Sequence, residues 1–239
     1  AASDVYKRQI SLHKINIPTP VMAGVRTPIR QFASCVLVDS DDTLPSIFSS
    51  DMAIGLYVAR RAGIGINAGR IRGINSKIRG GEVQHTGVIP FLKKFESTVR
   101  CCTQNGVRGG NATVHFPIWH PEIEEFINMR KESGGDIHRK NLNLHNAVNV
   151  NKEFLKAVEE DAEYRLVDPK SKEAVKVVNA RDLWWQLINA RAETGEPYIV
   201  NIDNCNDALP QKQKDLGLEI KQSNLCSEIT LPTNEERTA

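Results

Sequence analysis

The sequence predicts an α/β fold with a largely parallel sheet, and three observations support this. Short apolar runs typical of buried strands alternate along the chain with longer segments of helical periodicity. These helical segments are long enough to serve as crossover connections between parallel strands. The composition, 40% hydrophobic and 25% charged over 239 residues, is that of a globular domain, and no apolar stretch reaches the roughly 20 residues of a membrane-spanning helix.

The first predicted strand is the apolar, β-branched run Phe32–Val38. Asp42 and Thr43 can cap the helix that follows, and Gly63 is predicted to end that helix. The glycine-rich run Gly63–Gly69 predicts a strand that enters a tight turn. A strand, a helix and a second strand are therefore expected in this part of the chain.

The rest of the chain repeats this alternation. Helices are predicted at about Val88–Cys101, Pro121–Lys131, Lys152–Ala162 and Ala180–Ala192. Strands are predicted at Thr113–Ile118, at Leu144–Val150 and within Glu196–Asp203. The polar run Lys170–Lys176 is predicted to be a surface turn between helices.

No clear interdomain linker interrupts the sequence, so a single domain is expected. Residues 1–9 read like an appended segment, and the domain is assigned to residues 10–239. The chain begins with Ala1 and stops at Ala239 in a polar run, which favours a domain that is truncated at its C-terminal side.

Charge and cysteine usage argue against several classes of protein. Lys and Arg number 31 against 29 for Asp and Glu, so no charge excess indicates a nucleic-acid or membrane-surface partner. The five cysteines lack the dense pattern of a small secreted domain and no signal peptide precedes them, which favours the reducing cytoplasm. No CxxC or HExxH pattern occurs, so no metal site is expected.

The most informative segment is Ser223–Ile229, with the sequence SNLCSEI. Asn224, Cys226 and Glu228 occupy alternate positions, so in an extended chain they would project from one side at steps of about 6–7 Å. An amide, a thiol and a carboxylate would then line a path about the length of a small sugar. By spacing alone, ordinary buried or surface roles explain the three residues better, because short motifs give many false matches.

The SNLCSEI segment resembles the active-site segment of the large, catalytic subunit of class I ribonucleotide reductase. Further stretches that resemble the same family, in the family's order, are Thr19–Val38, Arg60–Gly73, Ile78–Phe91 and Asn105–His120. The resemblance implies a ribonucleoside-diphosphate reductase. It also implies a ten-stranded α/β barrel built from two five-stranded parallel halves, of which this chain would form about the first half.

The resemblance implies a role for each residue of the motif. A thiyl radical on Cys226 would remove the 3′ hydrogen of the ribonucleotide, and Glu228 would take the proton of the 3′ hydroxyl. Asn224 would hydrogen-bond the substrate hydroxyls. Cys35 would be one of two cysteines that reduce the 2′ position, with its partner beyond the end of this chain.

The same resemblance implies three sets of nucleotide-contacting residues. Contacts to the substrate are implied for Thr19, Ser34, Cys35, Gly63, Asn224 and Glu228. A site for a deoxynucleoside triphosphate effector is implied at Asp42, Thr43, Leu44, Arg72 and Arg79. A flexible loop that relays effector identity to the substrate base is implied around Gln104 and Arg108.

Partners and cofactors also follow from the resemblance. It implies no cofactor bound by this chain, a radical supplied by a metal-containing small subunit, dNTP or ATP effectors, reduction by thioredoxin or glutaredoxin, and a homodimer of large subunits. The isolated half-barrel is expected to be inactive, because the radical-transfer tyrosines and the C-terminal cysteine pair that the resemblance implies are not in this chain. It is also expected to be poorly soluble, because it would expose a strand edge and an apolar face. Two alternatives remain at this point: a glycyl-radical or cobalamin-dependent relative, and a non-catalytic nucleotide-binding regulatory module.

Overall fold

The computed structural model describes residues 2–17, 21–22, 25, 28, 32–102 and 109–234. The helices, in chain order, are α1 (Ala2–Ser11), α2 (Leu44–Ala59), α3 (Ile89–Cys101), α4 (Ile123–Asn128), α5 (Lys152–Glu160), α6 (Ala180–Thr194), α7 (Ile202–Asp207) and α8 (Gln211–Asp215). The strands are β1 (Cys35–Asp39), β2 (Gly63–Asn67), β3 (Lys77–Ile78), β4 (Val83–Gln84), β5 (Ala112–Pro117), β6 (His145–Val150), β7 (Glu163–Val167), β8 (Ala174–Asn179) and β9 (Tyr198–Asn201).

Five strands form one parallel sheet in the order β1-β2-β5-β6-β9. Helices lie in the connections between these strands, as parallel pairing requires a long crossover connection. The predicted α/β class with a parallel sheet is therefore confirmed. Among the described residues, no helix combines the length and the apolar character needed to cross a membrane.

Side-chain caps begin α2, α5, α6 and α7. The Thr43 hydroxyl accepts a hydrogen bond from the Ser46 amide at 3.3 Å and begins α2, as predicted. The predicted end of that helix at Gly63 is wrong, because α2 already ends at Ala59 and Gly63 is the first residue of β2. A glycine marks the end of α6 instead, where Gly195 adopts a φ of 79°.

The structure contains an antiparallel hairpin, β7–β8, that the sequence reasoning missed. The run Lys170–Lys176, expected to be a turn between helices, contains the turn that joins these two strands. A signal was available, because Glu163–Val167 alternates polar and apolar residues and buries Tyr164 and Leu166. The flanking strand β8 is largely exposed, which weakens the corresponding pattern there.

The two faces of the parallel sheet differ in chemistry. One face carries the branched and aromatic residues that form the core with α2, α3 and α6, namely Val36, Val38, Ile64, Ile66, Val114, Phe116 and Val148. The opposite face, which we call the polar face, carries Asp39, Asn67, Thr113, His115 and Asn149. Because successive side chains of a strand point to opposite sides, this division follows directly from the strand register.

Candidate active site

A single segment, residues 221–233, lies across the polar face; we call it the crossing segment. Gln222 Nε2 donates to the Gly65 carbonyl at 3.3 Å, and the Ser223 amide donates to His115 Nε2 at 3.3 Å. Farther along, the Thr113 hydroxyl donates to the Leu225 carbonyl at 2.6 Å. The first part of the crossing segment therefore runs from the middle of the sheet towards the amino ends of its strands.

Two glycines of β2 permit this close approach. A Cβ atom at Gly65 would lie 1.9 Å from the Ser223 carbonyl oxygen, a steric clash that excludes any side chain at this position. At Gly63, a Cβ atom would lie 2.6 Å from Leu225 Cδ2, so the space at this glycine is used by Leu225. The alternating glycines of the GIGIN strand are thus a requirement of packing, since only glycine lets another backbone pass so close.

Asn224 closes a tight turn in the crossing segment. Its side-chain carbonyl accepts hydrogen bonds from the amides of Glu228 and Ile229, each at 3.0 Å. The Ser227 amide donates to the Asn224 carbonyl at 3.2 Å, and Ser227 has a φ of 64°. The expectation that Asn224, Cys226 and Glu228 project from one side of an extended chain is therefore wrong. An asparagine side chain can satisfy nearby backbone amides, and here it does so in place of an extended conformation.

The turn presents its three functional candidates differently. Asn224 is fully buried, and Cys226 and Glu228 are exposed. Cys35 begins β1 and lies opposite Gly63 in the register, while Leu225 packs over Gly63. Cys226, the next residue, therefore lies at the same amino end of the sheet as Cys35.

Neither of these cysteines forms a disulfide. The Sγ atom of Cys35 lies 3.9 Å from the hydroxyl of Ser34, the neighbouring candidate for substrate contact. Cys101, Cys102 and Cys205 are also free thiols, and the Sγ atoms of the vicinal pair are 3.8 Å apart. Within the described part of the chain, no group of three or more His, Cys, Asp or Glu side chains is arranged to hold a metal ion.

Two histidines are buried and neutral: His115 beneath the crossing segment, and His120 just after the carboxyl end of β5. Burial lowers the pKa of His115 and of His120 to about 4. His120 Nε2 is placed to donate to the Ile71 carbonyl at 2.9 Å, and its Nδ1 accepts from the Glu122 amide at 3.1 Å. The unprotonated Nε2 of His115 accepts from the Ser223 amide, so the neutral ring helps to hold the crossing segment.

Because the pKa values of these two histidines are lowered, we expect the free energy of unfolding to fall in mild acid. In an unfolded chain a histidine pKa is about 6.5, so between about pH 6.5 and pH 4 the unfolded state binds more protons than the folded state. The free energy of unfolding should then fall by about 1.4 kcal/mol per pH unit for each histidine as the pH decreases. Urea unfolding of the full-length protein at about pH 7 and about pH 5 measures this, and His120→Gln should flatten the dependence. The same substitution at exposed His138 is the control, and equal pH dependence in the two variants would contradict the prediction.

Asp42 and Arg72, two of the proposed effector residues, form an ion pair. Arg72 Nε donates to Asp42 Oδ2 at 2.7 Å, and the Arg72 amide donates to Asp42 Oδ1 at 2.8 Å. Arg72 Nη1 also donates to the Lys77 carbonyl at 2.9 Å. Hydrogen bonding to Asp42 raises the pKa of the Arg72 guanidinium. The pair ties the start of α2 to the loop that follows β2.

The remaining effector candidates have more varied positions. Thr43 caps α2, and Leu44 is 55% exposed at the first position of that helix. Arg79 is exposed in the 3₁₀ turn between β3 and β4, with a φ of 50°. Three residues implied by the resemblance, Thr19, Gln104 and Arg108, lie outside the described residues.

Sequence reasoning missed a charged cluster at the carboxyl end of the sheet. Asp39, the last residue of β1, accepts hydrogen bonds from Asn67 Nδ2 at 2.8 Å, Arg70 Nη1 at 3.2 Å and Lys221 Nζ at 3.1 Å. The sequence pattern could have indicated that Asp39 and Asn67 lie close together, because each ends an apolar strand and adjacent parallel strands end at the same edge of the sheet. No sequence pattern could have placed Lys221 in this cluster, since it lies far from Asp39 and Asn67 along the sequence.

Comparison with known proteins identifies the family to which the chain belongs. A family model described as "Ribonucleotide reductase, barrel domain" matches residues 33–239. The chain is 44% identical over 250 residues to the ribonucleoside-diphosphate reductase subunit alpha of Buchnera aphidicola subsp. Schizaphis graminum, covering 94% of this chain and 32% of that protein.

Two further relatives agree. Identity is 42% to ribonucleoside-diphosphate reductase 1 subunit alpha of Escherichia coli (94% of this chain, 32% of that protein) and 38% to the subunit alpha of Enterobacteria phage T4 (95% and 33%). The chain thus spans about a third of the length of the curated relatives that it matches. On the strength of the family match and these identities, the chain belongs to the ribonucleotide reductase family, and its parallel sheet is part of the family's barrel domain.

Proposed function

We propose that the protein is the large, catalytic subunit of a ribonucleoside-diphosphate reductase, and that this chain supplies about the first half of its catalytic barrel. One observation carries the proposal. The crossing segment brings Cys226 to the end of the sheet at which Cys35 begins β1. Two thiols at one end of the sheet suit a reaction in which one sulfur carries a radical and the other supplies electrons.

The chemistry assigns one step to each group. A thiyl radical at Cys226 takes the 3′ hydrogen atom of the ribose and becomes a thiol, while Glu228 accepts the 3′ hydroxyl proton. The 2′ hydroxyl leaves as water. Cys35 and a partner thiol together supply two electrons and two protons and end as a disulfide. Glu228 then returns its proton to the 3′ oxygen, and Cys226 returns its hydrogen atom to the 3′ carbon. The radical itself is supplied by a metal-containing small subunit.

The positions of the side chains support these assignments. The thiol of Cys226 and the carboxylate of Glu228 are exposed on the turn, where a substrate can reach both. Asn224 uses its carbonyl within the turn, but its Nδ2 has no hydrogen-bond partner although it is buried. An unsatisfied buried donor costs free energy, and a small rearrangement of the turn that offers it a ribose hydroxyl would recover that cost. Ser34, Thr19 and Gly63 complete the proposed substrate contacts.

We also propose an effector site at the start of α2. The Asp42–Arg72 pair fixes an arginine close to the N-terminal end of α2, where guanidinium and helix dipole both favour phosphate. Leu44 at the start of α2 is exposed, and so is Arg79, two residues after the Lys77 carbonyl that Arg72 contacts; both would contact a deoxynucleoside triphosphate. Gln104 and Arg108 are proposed to read the effector and relay its identity to the substrate base.

A pair of large subunits is proposed to form through α2. Four large apolar side chains recur every four residues along this helix and are 51–64% exposed: Leu44, Phe48, Met52 and Leu56. Such a continuous apolar stripe on a surface helix is typical of an interface. The other proposed partners are the small subunit and thioredoxin or glutaredoxin, in the cytoplasm, where the described free cysteines would stay reduced.

A reduction assay tests the proposed function. The full-length large subunit, its small subunit, a ribonucleoside diphosphate and a dithiol reductant are combined, with a deoxynucleoside triphosphate as effector. We expect one deoxyribonucleoside diphosphate to form for each disulfide produced. Binding of the effector without any reduction would contradict the proposal and favour a non-catalytic regulatory module.

A further inference from the structure

The crossing segment is anchored to β1 by charge. The carboxylate of Asp39 is completely buried, and it receives both Lys221 Nζ and Arg70 Nη1. The amide of Asn67 completes the hydrogen bonding of this carboxylate. A buried charge is tolerated only when it is paired and hydrogen-bonded, so Asp39 depends on these partners. One of its two cations, Lys221, belongs to the crossing segment.

Lys221 also joins the two ends of the crossing segment. Its ammonium group donates to the Thr233 carbonyl at 3.1 Å as well as to Asp39, and its own carbonyl accepts from Asn149 Nδ2 at 2.8 Å. The segment that carries Cys226 therefore leaves and returns at one point. That point is fixed to β1 through the side chain of Lys221 and to β6 through its backbone.

The far end of the segment is held separately. The side-chain carbonyl of Asn224 closes the turn, and Thr113 and His115 hold the backbone on either side of Asn224. The turn thus has a defined shape, but its placement over the sheet depends on where the segment begins and ends. A displacement of about 1 Å in a reacting group can cost on the order of a hundredfold in rate.

We propose that Lys221 is a positioning residue for the proposed reaction. By bridging Asp39 and the Thr233 carbonyl, it fixes the two ends of the crossing segment. It thereby holds Cys226 at the end of the sheet where Cys35 lies. The catalytic half of this inference rests on the proposed function. The anchoring half rests only on the contacts of Lys221 and can be tested without any turnover.

The test compares three variants of the full-length large subunit, assayed with its small subunit. Lys221→Met removes the ammonium group and keeps a similar apolar stem. Lys221→Arg keeps a cation that can bridge the same two acceptors. Lys152→Met is the matched control, because Lys152 forms an exposed ion pair with Asp207 on another part of the surface. The readouts are amide hydrogen exchange of residues 223–229, with β5 as the internal reference, and kcat and KM for the ribonucleotide.

For Lys221→Met we expect faster exchange in residues 223–229 with β5 unchanged, and a kcat lower by about 10- to 100-fold with a much smaller change in KM. Lys221→Arg should restore both readouts, and Lys152→Met should behave as the wild type does. Unchanged exchange in Lys221→Met would overturn the anchor. Faster exchange with an unchanged kcat, or no rescue by arginine, would overturn the positioning role. If the wild type reduces no ribonucleotide but Lys221→Met still accelerates exchange, the proposed function fails and the anchor stands.

Discussion

Replacement of Cys226 by serine is expected to abolish ribonucleotide reduction in the full-length enzyme. A thiol gives up and retakes a hydrogen atom readily, whereas the O–H bond of serine is much stronger and does not exchange hydrogen with a ribose carbon. Loss of a residue that reacts directly with substrate lowers turnover by on the order of a thousandfold or more. The measurement is deoxynucleotide formation per minute with saturating substrate and effector.

The structure explains why this variant should otherwise remain intact. The turn is closed by the side chain of Asn224 and by backbone groups of residues 224–229, and serine is smaller than cysteine at an exposed position. Effector binding should therefore be unchanged. Cys101→Ser is the matched control, since Cys101 is an exposed thiol at the end of α3. Retained turnover in Cys226→Ser, or an equal loss in Cys101→Ser, would refute the assigned role.

Gly65→Ala is expected to displace the crossing segment. The new Cβ atom would lie 1.9 Å from the Ser223 carbonyl oxygen and 2.9 Å from Asn224 Cα, and both of these are backbone atoms that no change of rotamer can move. Overpacking of this kind costs about 1–3 kcal/mol of stability. Because the segment carries Cys226, turnover should fall by on the order of a hundredfold.

Gly63→Ala provides the graded comparison for stability. Its nearest obstruction is the side chain of Leu225, whose flexible end can move aside, so we expect a smaller loss in the free energy of unfolding. Urea denaturation of both variants measures the difference. Equal destabilisation by the two alanines, or full turnover in Gly65→Ala, would show that the crossing segment does not pass over Gly65 as described.

Much of the fold could be predicted from local sequence. The runs Thr113–Ile118 and Leu144–Val150 lie within two residues of strands β5 and β6, and Thr43 caps α2 as expected. Local prediction failed at Gly63, because a glycine can serve either a helix end or a close backbone approach. It also failed at the β7–β8 hairpin, where only one strand buries alternate residues.

For the candidate site, the sequence predicted which residues belong to it but not how they are arranged. Asn224, Cys226 and Glu228 were selected by the motif and its resemblance to a family, and their residue types suit the proposed chemistry. Their arrangement was not predicted, because an extended chain and a turn closed by an asparagine are both compatible with the same seven residues. The hydrogen bonds from Glu228 and Ile229 to Asn224 favour the turn.

The sequence by itself determined the α/β class, the five strands of the parallel sheet, the cap of α2 at Thr43, and which residue types stand in the motif. These features depend on neighbours along the chain, within the reach of one helical turn or one strand. Only the tertiary structure decided that Gly65 lies beneath Ser223, that Cys35 and Cys226 share one end of the sheet, and that Asp39 binds Lys221. Residues so far apart in sequence meet only when the sheet forms and the crossing segment packs on it, so no local pattern encodes their contacts.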